Sequence, residues 1–386
     1  MKAEVAFPAL LSAARALKPY TGPPRWRTNS RLLHLHASGD ILTLTASTGD
    51  QTAGVPLFGA VSDGACALPP DALINALTVL KPAGRAAAGA TVSLHHDADR
   101  LHLSVGDSPT IDLDAETPGT VPRAVTPDPT SALRPVTVGA VADWCDLIAG
   151  AATAASREPA RRELCVVRLH RDHPRVVLLV EATDTRRVHR GTWGNPDSEP
   201  VGKPVDIRIP AEAAVRAVRL LRTLDPTGQV RIHADDRLVT WCSDRVHVSA
   251  VSGGAEFPDL EKLREDVLDD ATARFTVERT ALLAVLDLAR RLTAPVRQPR
   301  IRLEHPEPGV LDVVVLSEAG TAVYTGHLPV TAATGPVHRM LLDPDFIRDA
   351  VGFLDGDTVT VHSSPDRLPT YLAGARRHAI VMRVRG

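Results

Sequence analysis

Aromatic side chains are scarce in this 386-residue chain: Phe, Trp and Tyr together make up 3% of it. Its cores must therefore be filled by Val, Leu, Ile and Ala. Cysteine is sparse too. Cys66, Cys145, Cys165 and Cys242 are widely scattered and form no CxxC pair, which argues against a zinc site or a redox couple and for reduced core residues. No run of about 18 apolar residues occurs, so no membrane span is expected. The first twenty residues hold one early Lys and a short apolar stretch, without a long apolar core or clear cleavage site. The chain is expected in the cytoplasm. Bulk charge is also missing: 44 Lys and Arg against 46 Asp and Glu give a net charge of −2. Nucleic acid could be held only by a local basic surface, balanced by acid elsewhere. Neither GxxxxGK[ST], GxGxxG nor GxSxG is present, so no nucleotide cradle or nucleophile elbow is read, and no cofactor. An enzyme is not expected.

What the chain does have is repetition. Its length suits two or three domains, and three segments share one pattern: Val92–Leu113, Val230–Val251 and Val359–Val384. Each runs through alternating apolar residues to a His (His95, His233, His362), then a polar turn, then Asp-Arg-Leu, then a further strand-like run. Period-two alternation around a turn predicts a β-hairpin. The anchors Asp99-Arg100-Leu101, Asp236-Arg237-Leu238 and Asp366-Arg367-Leu368 recur at about the spacing of a domain.

A helix is predicted before each hairpin, at Pro70–Lys81, Pro210–Leu224 and Asp343–Leu354, each with Pro and an acidic residue at its start. A second helix opens each repeat, near Phe7–Leu17, Val138–Ala155 and Glu278–Leu292, followed by a β-rich stretch. The fold class is therefore α+β, with antiparallel sheet and two helices in each of three tandem domains. Pro/Thr-rich Thr117–Pro135 and a second boundary near Arg264–Ala273 place the domains at 1–125, 130–266 and 271–386.

This order resembles the bacterial DNA sliding clamp, the β subunit of DNA polymerase III, over essentially the whole chain, as a divergent member or a specialised second copy. Ala182-Thr183-Asp184 with Arg186-Arg187-Val188 is similar to the family's Ala-Thr-Asp-Gly-His-Arg-Leu stretch. Phe257-Pro258-Asp259-Leu260 resembles its Phe-Pro-Asp-Tyr, and Val381-Met382-Arg383-Val384-Arg385 its carboxyl-terminal tail. The resemblance implies a head-to-tail homodimeric ring around double-stranded DNA, helices lining the hole. Its partners would be DNA polymerase, a clamp loader or repair proteins, docked through short linear motifs. A clamp that slides needs a diffuse positive field rather than base contacts. Arg15, Lys18, Arg25, Arg27, Arg216, Arg219, Arg222, Arg290 and Arg291, on or beside helices, are the candidates to face DNA. The last helix, with Asp345, Asp349 and Asp355 against Arg348, suits a basic channel poorly.

The resemblance also implies a peptide pocket walled by Leu164, Thr183, Val188, Pro258, Leu263, Met382 and Val384, with Thr185, Arg186, Arg187 and Arg385 at its polar edge. The chain departs from the family at Thr185-Arg186, where Gly-His is usual, at Arg383, where Pro is usual, and at Gly386, where Leu is usual. These changes predict an altered pocket. The alternative reading is a clamp-fold interaction scaffold that no longer encircles DNA. His95-His96-Asp97 could be drawn as metal ligands, but His95, His233 and His362 belong to the repeated hairpin pattern, so no metal is expected. His189 could pair with Asp184 for acid–base work; its strand-like setting favours a structural role.

Overall fold

A computed structural model of the chain describes all residues except 23–27, 83–88, 120–136, 172–176, 195–204, 235–236, 254–255, 295, 297–298, 308, 337, 366–368 and 385–386. Arg25, Arg27, Arg385, Gly386, Asp236 and the third Asp-Arg-Leu anchor lie outside the described residues, as does most of the Thr117–Pro135 linker.

The repetition read from the hairpins extends to the whole order of elements. The first repeat runs β1 (Lys2–Ala6), α1 (Phe7–Leu17), β2 (Leu33–Ser38), β3 (Ile41–Ser47), β4 (Gln51–Ser62), β5 (Gly64–Leu68), α2 (Pro70–Val79), β6 (Thr91–Asp97), β7 (Arg100–Val105) and β8 (Ile111–Asp114). The second follows the same plan with β9 (Thr137–Ala140), α3 (Val141–Ala152), β10 (Val166–Arg171), β11 (Leu178–Thr183), β12 (Arg187–Trp193), β13 (Val205–Pro210), α4 (Ala211–Leu224), β14 (Gln229–Ala234), β15 (Leu238–Cys242) and β16 (His247–Val251). After an additional helix, α5 (Leu260–Asp269), the third repeats it: β17 (Ala273–Glu278), α6 (Arg279–Thr293), β18 (Arg300–Glu307), β19 (Val310–Leu316), β20 (Ala322–Thr334), β21 (Met340–Leu342), α7 (Pro344–Phe353), β22 (Thr358–Ser363), β23 (Thr370–Ala373) and β24 (Arg377–Val381). The three expected hairpins form as antiparallel pairs of β6 with β7, β14 with β15, and β22 with β23. His95, His233 and His362 each sit on the first strand, opposite His102, Thr240 and Tyr371.

The chain divides into two compact units that do not follow the repeats: Met1–Cys145 with Glu199–Ser252, and Asp146–Ser198 with Gly253–Gly386. Strand pairing explains the division. In unit 1 the last strand of the second repeat, β16, pairs with β4 of the first, giving the order β8-β7-β6-β1-β4-β16-β15-β14-β9. In unit 2 the last strand of the third repeat, β24, pairs with β12, giving β10-β11-β12-β24-β23-β22-β17-β20-β19-β18-β21.

Pattern and packing agree. The strands of the repeated hairpins alternate, with Val92, Leu94, Val230, Ile232, Val359 and Val361 buried. The larger core cluster of unit 2 is mainly aliphatic, built on residues such as Leu282, Leu286, Leu303, Val313 and Val361 around Phe275. Trp144, Trp241, Tyr20 and Phe7 are the largest fully buried side chains, all in unit 1. Among the described residues no helix is long and apolar enough to cross a membrane.

Two elements differ from the sequence reading. The helix expected from Val138 starts at Val141, because Thr137–Ala140 pair with β14 as β9. Around Arg264–Ala273, read as a boundary, the chain first finishes α5. Asp259 caps α5, accepting from the N–H groups of Glu261 and Lys262 at 3.1 and 3.2 Å.

Candidate functional site

The segment Ala182–Val188 joins two strands that are buried almost from end to end, β11 and β12. A strand covered on both faces needs its polar groups paired internally, and the turn between them is dense with such pairs. The Asp184 carboxylate accepts from the backbone N–H of Arg186 and of Arg187 at 2.9 and 3.0 Å. Thr183 Oγ1 donates to the Arg187 carbonyl at 2.8 Å and accepts from the Thr185 N–H at 3.1 Å. Thr185 itself takes a left-handed φ of 73°, an uncommon conformation for a β-branched residue.

Arg187 leaves this turn and is held from three sides. Its Nε lies 3.2 Å from Asp184, its Nη1 donates to Asp349 on α7 at 2.8 Å, and its guanidinium lies 4.5 Å from the centre of the Phe346 ring. The tail strand closes on the same turn. Val188 pairs with Ile380, and the Met382 N–H donates to the Arg186 carbonyl at 2.8 Å. The Val384 N–H donates to Leu341 at 2.8 Å. Leu164 is buried in a short 3-10 turn, and Arg161 beside it donates to Thr185 Oγ1 at 3.1 Å.

The structure thus gathers Thr183, Thr185, Arg186, Arg187, Val188 and Met382 around one turn, and Arg161, three residues before Leu164, reaches it. Leu263 joins Val188 in a small apolar cluster with Leu260, Val267, Tyr371 and Ile380. Pro258 is exposed at the start of α5, and Met382 is exposed too. Four members of this neighbourhood were not read from the sequence: Phe346, Asp349, Tyr371 and Ile380. Tyr371 sits in the third repeated hairpin and Ile380 on β24 after it, and nothing in their local pattern marks them as neighbours of residue 188. Leu260, Leu263 and Val267, by contrast, are spaced as one helix face behind an Asp cap, a signal that was available.

An ion network flanks the cluster. Buried Glu181 meets Arg190 at 3.0 Å and Arg168 at 3.5 Å; Arg190 also pairs with Glu261, which holds Arg264 at 2.6 Å. Burial pushes the Glu181 carboxyl above its ordinary range against the pull of Arg190 and Arg168. Glu261 goes the other way: partial burial would raise it, but hydrogen bonds from Arg264 and Arg190 bring it down to about 2. His189 is fully buried, with Nδ1 2.9 Å from the Gly150 carbonyl and its ring stacked 4.8 Å from Phe353. Burial depresses it to about 4, so it is a neutral packing residue and not an acid–base partner of Asp184. Gly150 permits that stack, since a Cβ there would lie 2.6 Å from the Phe353 ring.

The candidate DNA-facing residues fall into two settings. In unit 1, Arg15, Arg216 and Arg219 line one groove with Lys81. Lys18 instead pairs with Asp71 at 2.6 Å, and Arg222 is exposed at the end of α4. In unit 2, Arg290 pairs with Asp345 at 2.7 Å and Arg291 is exposed. The acidic character of α7 has a local cause. Asp345 holds Arg290, Asp349 holds Arg187, and Asp355, just beyond the helix, accepts from the backbone N–H groups of Arg376 and Arg377 at 2.8 and 3.0 Å. His95-His96-Asp97 splits across the sheet, His96 buried and His95 exposed; Asp97 bonds His102 Nε2 at 3.0 Å and Asp112 bonds its Nδ1 at 2.7 Å.

No family model and no curated protein matches the sequence. Solved structures do. The β subunit from DNA polymerase of Streptococcus pyogenes superposes with a TM-score of 0.84 at 16% identity, each chain covered in full. The DNA polymerase sliding clamp of Bacillus subtilis gives 0.85 at 16%, covering 100% of this chain and 99% of that one. A sliding clamp of Pseudomonas aeruginosa bound to griselimycin gives 0.82 at 16%, with both chains fully covered. At such identities the likeness is one of fold, and over its whole length this chain folds as the β subunit of bacterial DNA polymerase III folds.

Proposed function

We propose that the protein is a non-catalytic, DNA-encircling processivity clamp of the cytoplasm, a homodimeric ring that tethers polymerase or repair proteins by short peptides. The observation that carries this reading is the full-length clamp fold, with TM-scores of 0.80 to 0.85 against bacterial clamps. On this reading each chain contributes three clamp domains, with boundaries near 1–125, 130–266 and 271–386. Arg15, Arg216, Arg219 and Arg222 supply the main positive field. The turn at Thr183–Val188, with Leu164, Leu263, Pro258, Met382 and Val384, forms the peptide pocket. Support for the pocket is the convergence of these residues in unit 2, and the griselimycin complex of a clamp with the same fold. Thr185 and Arg186 replace a small, open turn by a bulkier and more cationic one, so the pocket prefers different peptides from those of clamps with Gly-His there.

The test is topological. A ring loaded on nicked circular DNA should stay bound through gel filtration and be lost when the DNA is linearised. Light scattering should give twice the chain mass. A strict monomer at micromolar concentration, or equal retention on linear and circular DNA, would sink the ring and favour the scaffold reading.

A further inference from the structure

Unit 1 carries a groove whose apolar floor the clamp reading leaves without an occupant. It lies between α1 and α4 and has a volume of about 530 Å³. Leu11 and Leu220, both buried, form part of its floor. Its cations are Arg15, Lys81, Arg216 and Arg219, and no described carboxylate lines it. One of these cations is built in. Gln51 is buried, donates to the Ala213 carbonyl at 2.9 Å and accepts from Arg216 Nε at 3.1 Å. Arg216 Nη1 donates to the Pro19 carbonyl at 3.3 Å, and the guanidinium lies 5.9 Å from the Tyr20 ring centre. Arg219 and Lys81 are exposed.

We propose that this groove binds a small amphiphilic anion, an aryl or alkyl body with a carboxylate, sulfonate or phosphate head. Four cations without an acid call for an anion, and an arginine already held by a buried glutamine loses little freedom on binding one. The apolar floor calls for more than an anion. A phosphodiester backbone is polar along its length and would touch the rim while leaving the floor wet. The volume lies in the range of small-molecule sites, roughly 300–1,000 Å³. The groove shares Arg15, Arg216 and Arg219 with the proposed DNA face, so on that reading anion and duplex exclude each other.

The probe is anilinonaphthalene sulfonate, titrated by fluorescence into the full chain, with phenylnaphthylamine as its uncharged analogue. Saturable binding of one molecule per chain is expected, with the uncharged analogue weaker by about tenfold or more. The surface double variant Arg219→Ala/Lys81→Ala should weaken the sulfonate by about tenfold. Ser12→Trp, which fills the groove from α1, should abolish it, and Gln51→Ala should weaken it by releasing Arg216. The proposal is overturned if the sulfonate does not bind, if the uncharged analogue binds as well, or if Arg219→Ala/Lys81→Ala leaves binding unchanged while thermal unfolding shows the variant folded. DNA retention by the same protein is measured separately: sulfonate binding without DNA retention fails the clamp reading and keeps this one, and the converse fails only this one.

Discussion

The helices of unit 1 and those of unit 2 carry similar numbers of arginines and use them differently. On α1 and α4, Arg15 and Arg219 have no acidic partner among the described residues; Arg15 only touches Thr78 at 3.4 Å, and Arg216 is anchored by an amide and a carbonyl. On α6 and α7, Arg290 is matched by Asp345, Arg348 by Asp287 at 2.9 Å, and Asp349 is taken by Arg187. A stripe of arginines makes a field only where its charge is not neutralised nearby. On the clamp reading unit 1 therefore supplies more of the attraction, with exposed Arg291 the free contribution of α6.

The largest expected effect breaks that asymmetry at its strong end. Arg216→Glu/Arg219→Glu should lower DNA affinity by about a hundredfold at low salt and flatten the salt slope by roughly two contacts. Arg290→Ala should change it by less than about threefold, because its charge is already paired. Filter binding across a salt series reads both. Equal losses from the two units would show that the pairing on α6 and α7 does not quench their field.

A second contrast lies inside. Unit 2 holds fully buried His189 and half-buried His378, depressed to about 4 and about 3 by desolvation, and keeps Glu261 at about 2. In unit 1, His247 is depressed by the same cause. A histidine whose folded pKa lies below its unfolded 6.5 lets the unfolded chain take up the proton first. Stability is then whole above about pH 6.5 and falls as pH drops toward 4 and then 3. Glu261 adds a loss below the usual carboxylate range. Glu181 works the other way, since its raised carboxyl takes up a proton while folded and offsets part of the loss. Unit 2 should lose more stability than unit 1 between pH 7 and pH 4.5. Hydrogen exchange resolved by segment would show β11, β12 and β24 opening before β6 and β7; the reverse order would remove these histidines as the cause.

Backbone strain gives a smaller contrast. Among the described residues two non-glycine positions have left-handed φ: Ala98 at 46° in the β6–β7 turn, and Thr185 at 73° in the β11–β12 turn. Substituting Gly should stabilise Thr185 by about 1 kcal/mol and Ala98 by less, because only the threonine is β-branched and crowded at Cβ. Denaturant melts read the difference. A destabilising Thr185→Gly would mean that the Arg161 contact outweighs the strain.

Much of this was legible in the sequence, and the limits have physical causes. The three hairpins were readable because alternation and a fixed His position are local signals. The helices before them carried Pro and acid at their starts. The division into two units was not readable, because it depends on β16 meeting β4 and β24 meeting β12, pairings between strands of different repeats. Within the candidate pocket, the turn at Thr183–Val188 was found from its motif. Asp349 and Phe346, which fix Arg187, were not: they are 162 and 159 residues away in sequence, and α7 was read only as an acidic helix. The same gap misjudged charge. Arg290 and Arg216 look alike in sequence, and the acid that cancels one of them lies on another helix.

That cancellation gives the smallest and sharpest test. Asp345→Asn removes the partner 2.7 Å from Arg290 and keeps the side chain's shape. Both groups are about half exposed, so the pair itself should contribute less than about 1 kcal/mol and the variant should remain folded. Asp343 still caps α7 by accepting from the Asp345 and Phe346 N–H groups. The released Arg290 sits beside exposed Arg291, and on the clamp reading both then face the duplex. DNA affinity should rise two- to threefold at low salt, roughly one weak phosphate contact, and the gain should vanish at high salt. Arg290→Ala added to Asp345→Asn should erase most of it. A gain that survives without Arg290 would belong to the lost negative charge of α7 itself, and would mean that acid on this helix acts directly on DNA instead of through the arginine it holds.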